Sequence, residues 1–109
     1  MTEKVKTELD RIVGTLAETG IVSKIILFGS YARGEETAKS DIDLCVLTPE
    51  EDKGRRLKNI TVDFGLKLFD KVDTSLDLLV YNQDEFSARA ESSRSFQHHI
   101  MEHGVVLYG

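Results

Sequence analysis

Apolar residues recur at intervals of three and four in two long stretches of the chain, which is the spacing of one helix face. The first stretch predicts a helix over Thr2–Thr19, and the second predicts a helix from Glu50 to about Asp70. Shorter helices are predicted to begin around Asp84–Phe86 and to run over Arg94–His103. The chain is therefore expected to contain substantial helix between its other elements.

Apolar runs separate these helices and predict strands, and the first run is nearly continuously apolar, as in a buried strand. The runs are Ile21–Phe28, Asp41–Leu47, Ser75–Tyr81 and the short Val105–Tyr108. Alternation of helices and strands is typical of an α/β (α+β) fold in which helices cover a sheet. Because the link between the first two strands is short, a crossover helix between them is not assured, and we predict a mixed sheet of about four strands.

Composition and charge limit the class of protein. The 109 residues predict a single domain over 1–109, with a soluble composition that is 40% hydrophobic and 30% charged. The net charge of −5 makes direct nucleic-acid binding an unexpected role. No apolar run approaches the roughly 20 residues of a membrane span, so no membrane association is expected. With a charged N-terminus and the single Cys45, a cytoplasmic location is the expectation.

The first candidate for chemistry is the turn that follows the first strand. Gly29 allows a sharp bend and a close approach of a ligand, and Ser30 is predicted to cap a short helix that ends at Gly34. The amide groups at the start of such a helix favour a phosphate. Taken alone, the same residues also fit a simple turn and helix cap.

Three aspartates within apolar strands form the second candidate. Asp41 and Asp43 are two residues apart, so both carboxylates lie on one face of a strand, and Asp77 interrupts another apolar strand. If these strands are neighbours, three carboxylates converge, which suits magnesium together with substrate phosphates. Two such metal ions could clamp the attacking and leaving oxygens of nucleotidyl transfer. The alternative is that Asp41 caps the loop and Asp43 pairs with a distant arginine.

Combined, the two candidates resemble a known signature. Gly29-Ser30, ten intervening residues and then Asp-x-Asp resemble the DNA polymerase beta-like nucleotidyltransferase superfamily, which has a palm-like fold. The run LFGSYARGEETAKSDIDLCVLT is similar to the minimal nucleotidyltransferase (MNT) branch, and the resemblance extends over roughly the whole chain.

The resemblance implies a role for each matched residue. Gly29 and Ser30 would hold the triphosphate of ATP, and Asp41 and Asp43 would ligate two Mg²⁺ ions. Asp77 would ligate the catalytic metal ion and help to deprotonate the acceptor hydroxyl. Arg33 matches the family's Ala-Arg-Gly step, and it would either contact a phosphate or pair with a nearby acid to hold the loop.

The resemblance also implies a partner. Lone MNT proteins resemble the antitoxins that transfer AMP from ATP to a tyrosine of a HEPN-domain toxin, so the chain would be a protein adenylyltransferase. One alternative is a non-catalytic antitoxin that neutralises its partner by contact alone. Another is a nucleotidyltransferase that acts on a small hydroxylated molecule.

Several other residues allow a functional and a structural interpretation. His99 and His103 could form a metal pair at i and i+4, but polar positions near a helix C-terminus are the simpler interpretation. Cys45 is expected to be a buried filler rather than a nucleophile. A basic run could reach nucleotide phosphates, although a solvated helix face is the more usual role of such a run. The run comprises Lys53, Arg55, Arg56 and Lys58.

Overall fold

The structure is a computed structural model, and it describes residues 1–49 and 56–109. Within these ranges the chain forms five helices and four strands. In chain order they are α1 (Glu3–Ala17), β1 (Lys24–Phe28), α2 (Gly29–Arg33), β2 (Ile42–Thr48), α3 (Leu57–Leu68), β3 (Leu76–Asn82), α4 (Gln83–Ala90), α5 (Phe96–His103) and β4 (Val105–Tyr108). Among the described residues, no helix is both long enough and apolar enough to cross a membrane.

The four strands form one mixed sheet in the order β3-β2-β1-β4. Strand β1 runs antiparallel to both β2 and β4, whereas β2 and β3 are parallel. The short connection through α2 reverses the chain after β1, and the longer connection that contains α3 returns it for parallel pairing. The mixed α/β sheet predicted from the sequence is therefore confirmed.

Helices cover both faces of this sheet. Helices α1 and α3 pack on one face, where Ile12 and Phe64 are almost fully buried against alternate residues of β1 and β2. On the other face, Phe86 of α4 and Ile100 of α5 pack on a smaller cluster that includes Cys45. Burial on both faces explains why the central strands lack the usual alternation of apolar and polar residues.

Most predicted elements are present, but several of their starting points are shifted along the chain. The first strand begins at Lys24 rather than Ile21, although the amide of the preceding Ser23 already donates to the Leu47 carbonyl of β2, at 2.8 Å. The last helix begins at Phe96 rather than Arg94, since the Ser95 hydroxyl caps it.

The second long helix was predicted from Glu50 to about Asp70, and its described part is α3. This helix begins at Leu57, because Arg56 before it has an extended backbone. The start predicted at Glu50 lies outside the described residues, as does the rest of 50–55.

A buried carboxylate joins α1 to the turn that precedes β3. Glu8 is only 3% exposed, and it accepts hydrogen bonds from the amides of Asp73 and Thr74 and from the Thr74 hydroxyl. Burial opposes ionisation of Glu8, but these hydrogen bonds and the nearby Lys4 outweigh it and lower the pKa of the carboxyl. The charged form of Glu8 is thus the form that the fold stabilises.

Replacing Glu8 by glutamine is expected to lower the free energy of unfolding by about 2 kcal/mol, because an amide cannot accept all three hydrogen bonds. The pKa of Glu8 is lower in the folded state than its ordinary value of 4.5. Its stabilisation is therefore present above pH 4.5 and is lost as the pH falls through the lowered folded value. When the pH is lowered from 7 to 3, the free energy of unfolding measured with urea should fall less in Glu8→Gln than in the wild type.

Glu3 provides the matched control for this measurement. It is an exposed residue of the same helix, paired with Lys6 at 3.4 Å. Glu3→Gln should change stability by less than about 0.5 kcal/mol. Equal effects of the two substitutions would contradict the role given to Glu8.

Candidate active site

The strand register places three residues abreast on the sheet face that α4 and α5 cover. Phe28 of β1 pairs with Asp43 of β2, and Asp43 pairs with Asp77 of β3. Residues paired in this way point to the same face of a sheet. We call Phe28, Asp43 and Asp77 the site row. It lies where β1 ends and where β2 and β3 begin, so α2 starts directly beside it.

Burial and neighbouring charges perturb the pKa of Asp43 in the site row. Asp43 is half-buried, whereas Asp77 and Asp41 are exposed. Burial raises the pKa of Asp43 first, and the negative charges of Asp77 and then Asp41 raise it further, with partial relief from Arg33. The three aspartates expected to converge therefore lie close enough to repel one another, although Asp41 precedes β2 by one residue rather than starting the strand.

Gly29 brings the backbone bend into contact with this carboxylate. Its φ of +74° is in the left-handed region, and a Cβ built at this position would overlap Oδ2 of Asp43. Only glycine satisfies both conditions at low cost. The bend and the carboxylates are therefore parts of one site.

The prediction that Ser30 caps α2 was wrong. The helix already includes Gly29, so Ser30 lies within its first turn, and the N-cap position belongs to Phe28. Phe28 has extended backbone and makes no capping hydrogen bond through its side chain. Gly34 ends the helix with a φ of +71°, as predicted.

Arg33 adopts one of the two arrangements that the sequence left open. Its Nε donates to Oε2 of Glu35 at 3.2 Å, and both side chains are exposed. The guanidinium also acts on Asp43, where its charge favours the ionised carboxylate. Pairing with a nearby acid is thus observed, and contact with a nucleotide phosphate stays a prediction.

The site row has a donor set that fits magnesium. Carboxylate oxygens are hard ligands, and a divalent cation between Asp43 and Asp77 would relieve the repulsion that raises the Asp43 pKa. Because Gly29 has no side chain, the Asp43 carboxylate can lie directly against the backbone bend. In residues 1–49 and 56–109, however, no three His, Cys, Asp or Glu side chains are already arranged closely enough to hold a metal ion.

Cys45 lies two residues after Asp43 but takes no part in this chemistry. It is fully buried in the cluster beneath α4 and α5. Burial raises the pKa of its thiol to about 12, so the thiol stays protonated at neutral pH. The interpretation of Cys45 as a buried filler is confirmed.

The other residues with two interpretations lie elsewhere. The ring centroids of His99 and His103 are 4.6 Å apart on the exposed side of α5. The His98 ring forms a hydrogen bond with the Ala90 carbonyl through Nδ1, and its Nε2 lies 3.0 Å from the Glu102 carboxylate. Of the basic run, Arg56 and Lys58 are exposed. Lys53 and Arg55 fall outside the described residues.

Sequence reasoning missed one residue next to the site row. Phe96, the first residue of α5, packs edge-on against Phe28, with ring centroids 5.7 Å apart. Nothing in the spacing of the sequence connects the two, because their contact depends on how α5 docks on β1. The signal available was only that an aromatic residue stands directly before Gly29.

Comparisons with known proteins agree with this fold. Residues 3–106 match the Nucleotidyltransferase domain family. A Methanocaldococcus jannaschii protein with the name "Putative protein adenylyltransferase MJ0604" is 34% identical over 89 residues, which are 82% of this chain and 81% of that protein. The chain therefore belongs to the nucleotidyltransferase domain family.

Two solved structures share the fold. One is a toxin–antitoxin complex with AMP-PNP, with 24% identity and a TM-score of 0.59 over 94% of this chain and 71% of that one. The other is an MNT antitoxin bound to the tri-AMPylated HEPN toxin of Shewanella oneidensis. It has 23% identity and a TM-score of 0.57 over 95% of this chain and 71% of that one.

Proposed function

We propose that this chain is a magnesium-dependent protein adenylyltransferase of the cytoplasm, an antitoxin that moves AMP from ATP to a tyrosine hydroxyl of a HEPN-domain toxin. Three similarities support the proposal: the name of the Methanocaldococcus relative, the AMP-PNP in one similar complex, and the AMPylated HEPN toxin in another. Membership of the nucleotidyltransferase domain family supports the reaction type.

The single observation that carries the proposal is the position of Asp43. Its carboxylate lies against the Gly29 bend on one side and beside Asp77 on the other. Burial and two neighbouring negative charges oppose its ionisation, so the isolated fold gains nothing from placing an acid here. A site for divalent cations and phosphates accounts for an arrangement that stability alone does not.

Each residue then has a distinct task. Gly29 lets the triphosphate approach the backbone, and Ser30 adds a hydroxyl and an amide from the first turn of α2. Asp41 and Asp43 would hold two Mg²⁺ ions, and Asp77 would hold the catalytic one. When bound, magnesium neutralises charge on the phosphates and on the attacking and leaving oxygens.

In the reaction, the tyrosine oxygen forms a bond to the α-phosphorus of ATP, and the bond from that phosphorus to the bridging oxygen breaks. Pyrophosphate leaves, and the hydroxyl proton goes to the Asp77 carboxylate. Asp77 suits this task because it is exposed, whereas Asp43 is half-buried. Positioning and charge neutralisation supply the rate acceleration, without a covalent enzyme intermediate.

The test combines this protein with α-labelled ATP, magnesium and a HEPN-domain toxin. Wild type is compared with Asp41→Ala/Asp43→Ala and with Asp10→Ala, a control at an exposed acid of α1. We expect the wild type to label a tyrosine of the toxin only when magnesium is present. The double variant should not label the toxin, and the Asp10→Ala control should label it as the wild type does.

Two outcomes would contradict the proposal. If the double variant neutralises the toxin as well as the wild type does and neither labels it, the protein acts by contact alone. If label appears only on added small hydroxylated molecules, the acceptor is not a protein.

A further inference from the structure

Two aromatic rings, Phe28 and Phe96, lie at the β1 end of the site row, and we call this pair the aromatic ledge. Phe28 is a member of the row and stands directly before Gly29. Phe96 meets it edge-on, with an interplanar angle of 82°. Phe96 is nevertheless 48% exposed, so part of its ring remains available to a ligand.

The backbone positions of both residues of the ledge are restrained by the fold. Phe28 is fixed by its place in β1, between the strands β2 and β4. Phe96 is fixed by the cap of α5, since the Ser95 hydroxyl accepts the His98 amide at 3.0 Å, and by Ile100 one turn later, which is fully buried. An exposed ring on such a rigid support loses little conformational freedom when a flat ligand binds.

The order of residues along the row indicates which ligand the ledge serves. Asp77, the proposed site of the acceptor hydroxyl, lies on the β3 side of Asp43, and Phe28 lies on the opposite side. Phe28 also adjoins Gly29, where the proposed function places the triphosphate. The ledge thus lies on the nucleotide side of the row and away from the acceptor.

We infer that Phe96, supported by Phe28, stacks on the adenine base of the bound nucleotide and so positions ATP for transfer. This inference rests on the proposed function, because the triphosphate must lie at Gly29 for the base to reach the ledge. The exposed part of the Phe96 ring provides an apolar surface for the base beside the carboxylates of the site row. Stacking of a base on an aromatic side chain adds affinity without requiring a hydrogen-bond pattern.

The chain contains no tryptophan, which allows a direct test. Phe96→Trp introduces a single fluorophore at the ledge, and Phe69→Trp provides a matched control on a ring that is 84% exposed at the end of α3. Each variant is titrated with ATP and with inorganic tripolyphosphate, both with magnesium. ATP should quench the fluorescence of Phe96→Trp, tripolyphosphate should not, and Phe69→Trp should respond to neither.

Phe96→Ala and Phe96→Leu give the second measurement, by calorimetry. The alanine variant should bind ATP about tenfold more weakly than the wild type while binding tripolyphosphate equally well. The leucine variant should fall between them, and both should keep the wild-type melting temperature within a few degrees.

The outcomes separate the inference from the function on which it rests. If the wild type binds ATP and labels the toxin, but Phe96→Ala binds ATP normally, the inference is overturned and the function stands. The inference is also overturned if Phe96→Ala binds ATP and tripolyphosphate more weakly by the same factor. If the wild type binds neither ligand with magnesium, both the proposed function and the inference fall.

Discussion

Asp43→Asn should abolish nucleotidyl transfer and at the same time stabilise the metal-free protein. The lost carboxylate should reduce the rate about a thousandfold, since the proposed function places it where charge develops during transfer. The folded protein, however, loses a half-buried charge that Asp77 and Asp41 repel. After allowance for solvent screening, this relief is on the order of 1 kcal/mol or less, which corresponds to a rise of a few degrees in Tm.

The pH dependence of the gain follows from the sign of the pKa shift. Since the pKa of Asp43 is raised above its ordinary value of 3.8, its ionised form destabilises the fold above the raised value. The advantage of Asp43→Asn should therefore be full at neutral pH and disappear as the pH falls below 3.8.

Thermal melts with EDTA and with magnesium check both effects of this substitution. Magnesium should raise the Tm of the wild type and leave that of Asp43→Asn unchanged. Asp10→Asn, at an exposed position of α1, should follow the wild type throughout. A metal-free Asp43→Asn protein that melts below the wild type would contradict the repulsion described here.

Gly29→Ala should cost both stability and activity, and Gly20→Ala should cost stability alone. Both glycines have a φ of +74°, so each alanine must adopt a left-handed backbone, which lowers the free energy of unfolding by about 1 kcal/mol. Only at position 29 does the added Cβ overlap the Asp43 carboxylate, which must then turn away. A displacement of about 1 Å in a catalytic group costs roughly a hundredfold in rate.

Urea unfolding and the toxin-labelling rate, measured on both variants, separate these two effects. We expect Gly29→Ala to lose about 2 kcal/mol or more of stability and most of its activity, whereas Gly20→Ala keeps a rate close to that of the wild type. Equal rates in the two alanine variants would show that contact between Gly29 and Asp43 is unimportant for transfer.

The elements and the grouping of acids could be predicted because their signals are local. Helical spacing in α1 and the apolar runs of β1 and β2 reflect burial that each element experiences by itself. Asp77 could be associated with Asp43 because it interrupts an apolar strand that was expected to neighbour the strand of Asp43. The mixed sheet followed from the length of one connection.

The remaining features depend on contacts between distant segments. Phe96 could not be connected with Phe28 before the docking of α5 was known. Glu8 looked like one more charged residue of an amphipathic helix, yet its partners lie 65 and 66 residues further along the chain. The error at Ser30 arose because serine is favoured at helix caps, whereas the backbone here already turns at Gly29.

The hydrogen bonds of Glu8 link two distant parts of the chain during folding. They secure the turn at Asp73 and Thr74 to the first helix of the chain, and Asp77 follows only three residues after that turn. A nascent chain that has not yet emerged beyond this turn holds two of the three acids and lacks the third. The segment that carries Asp77 is therefore anchored only after two parts of the chain 65 residues apart have both been synthesised and have met.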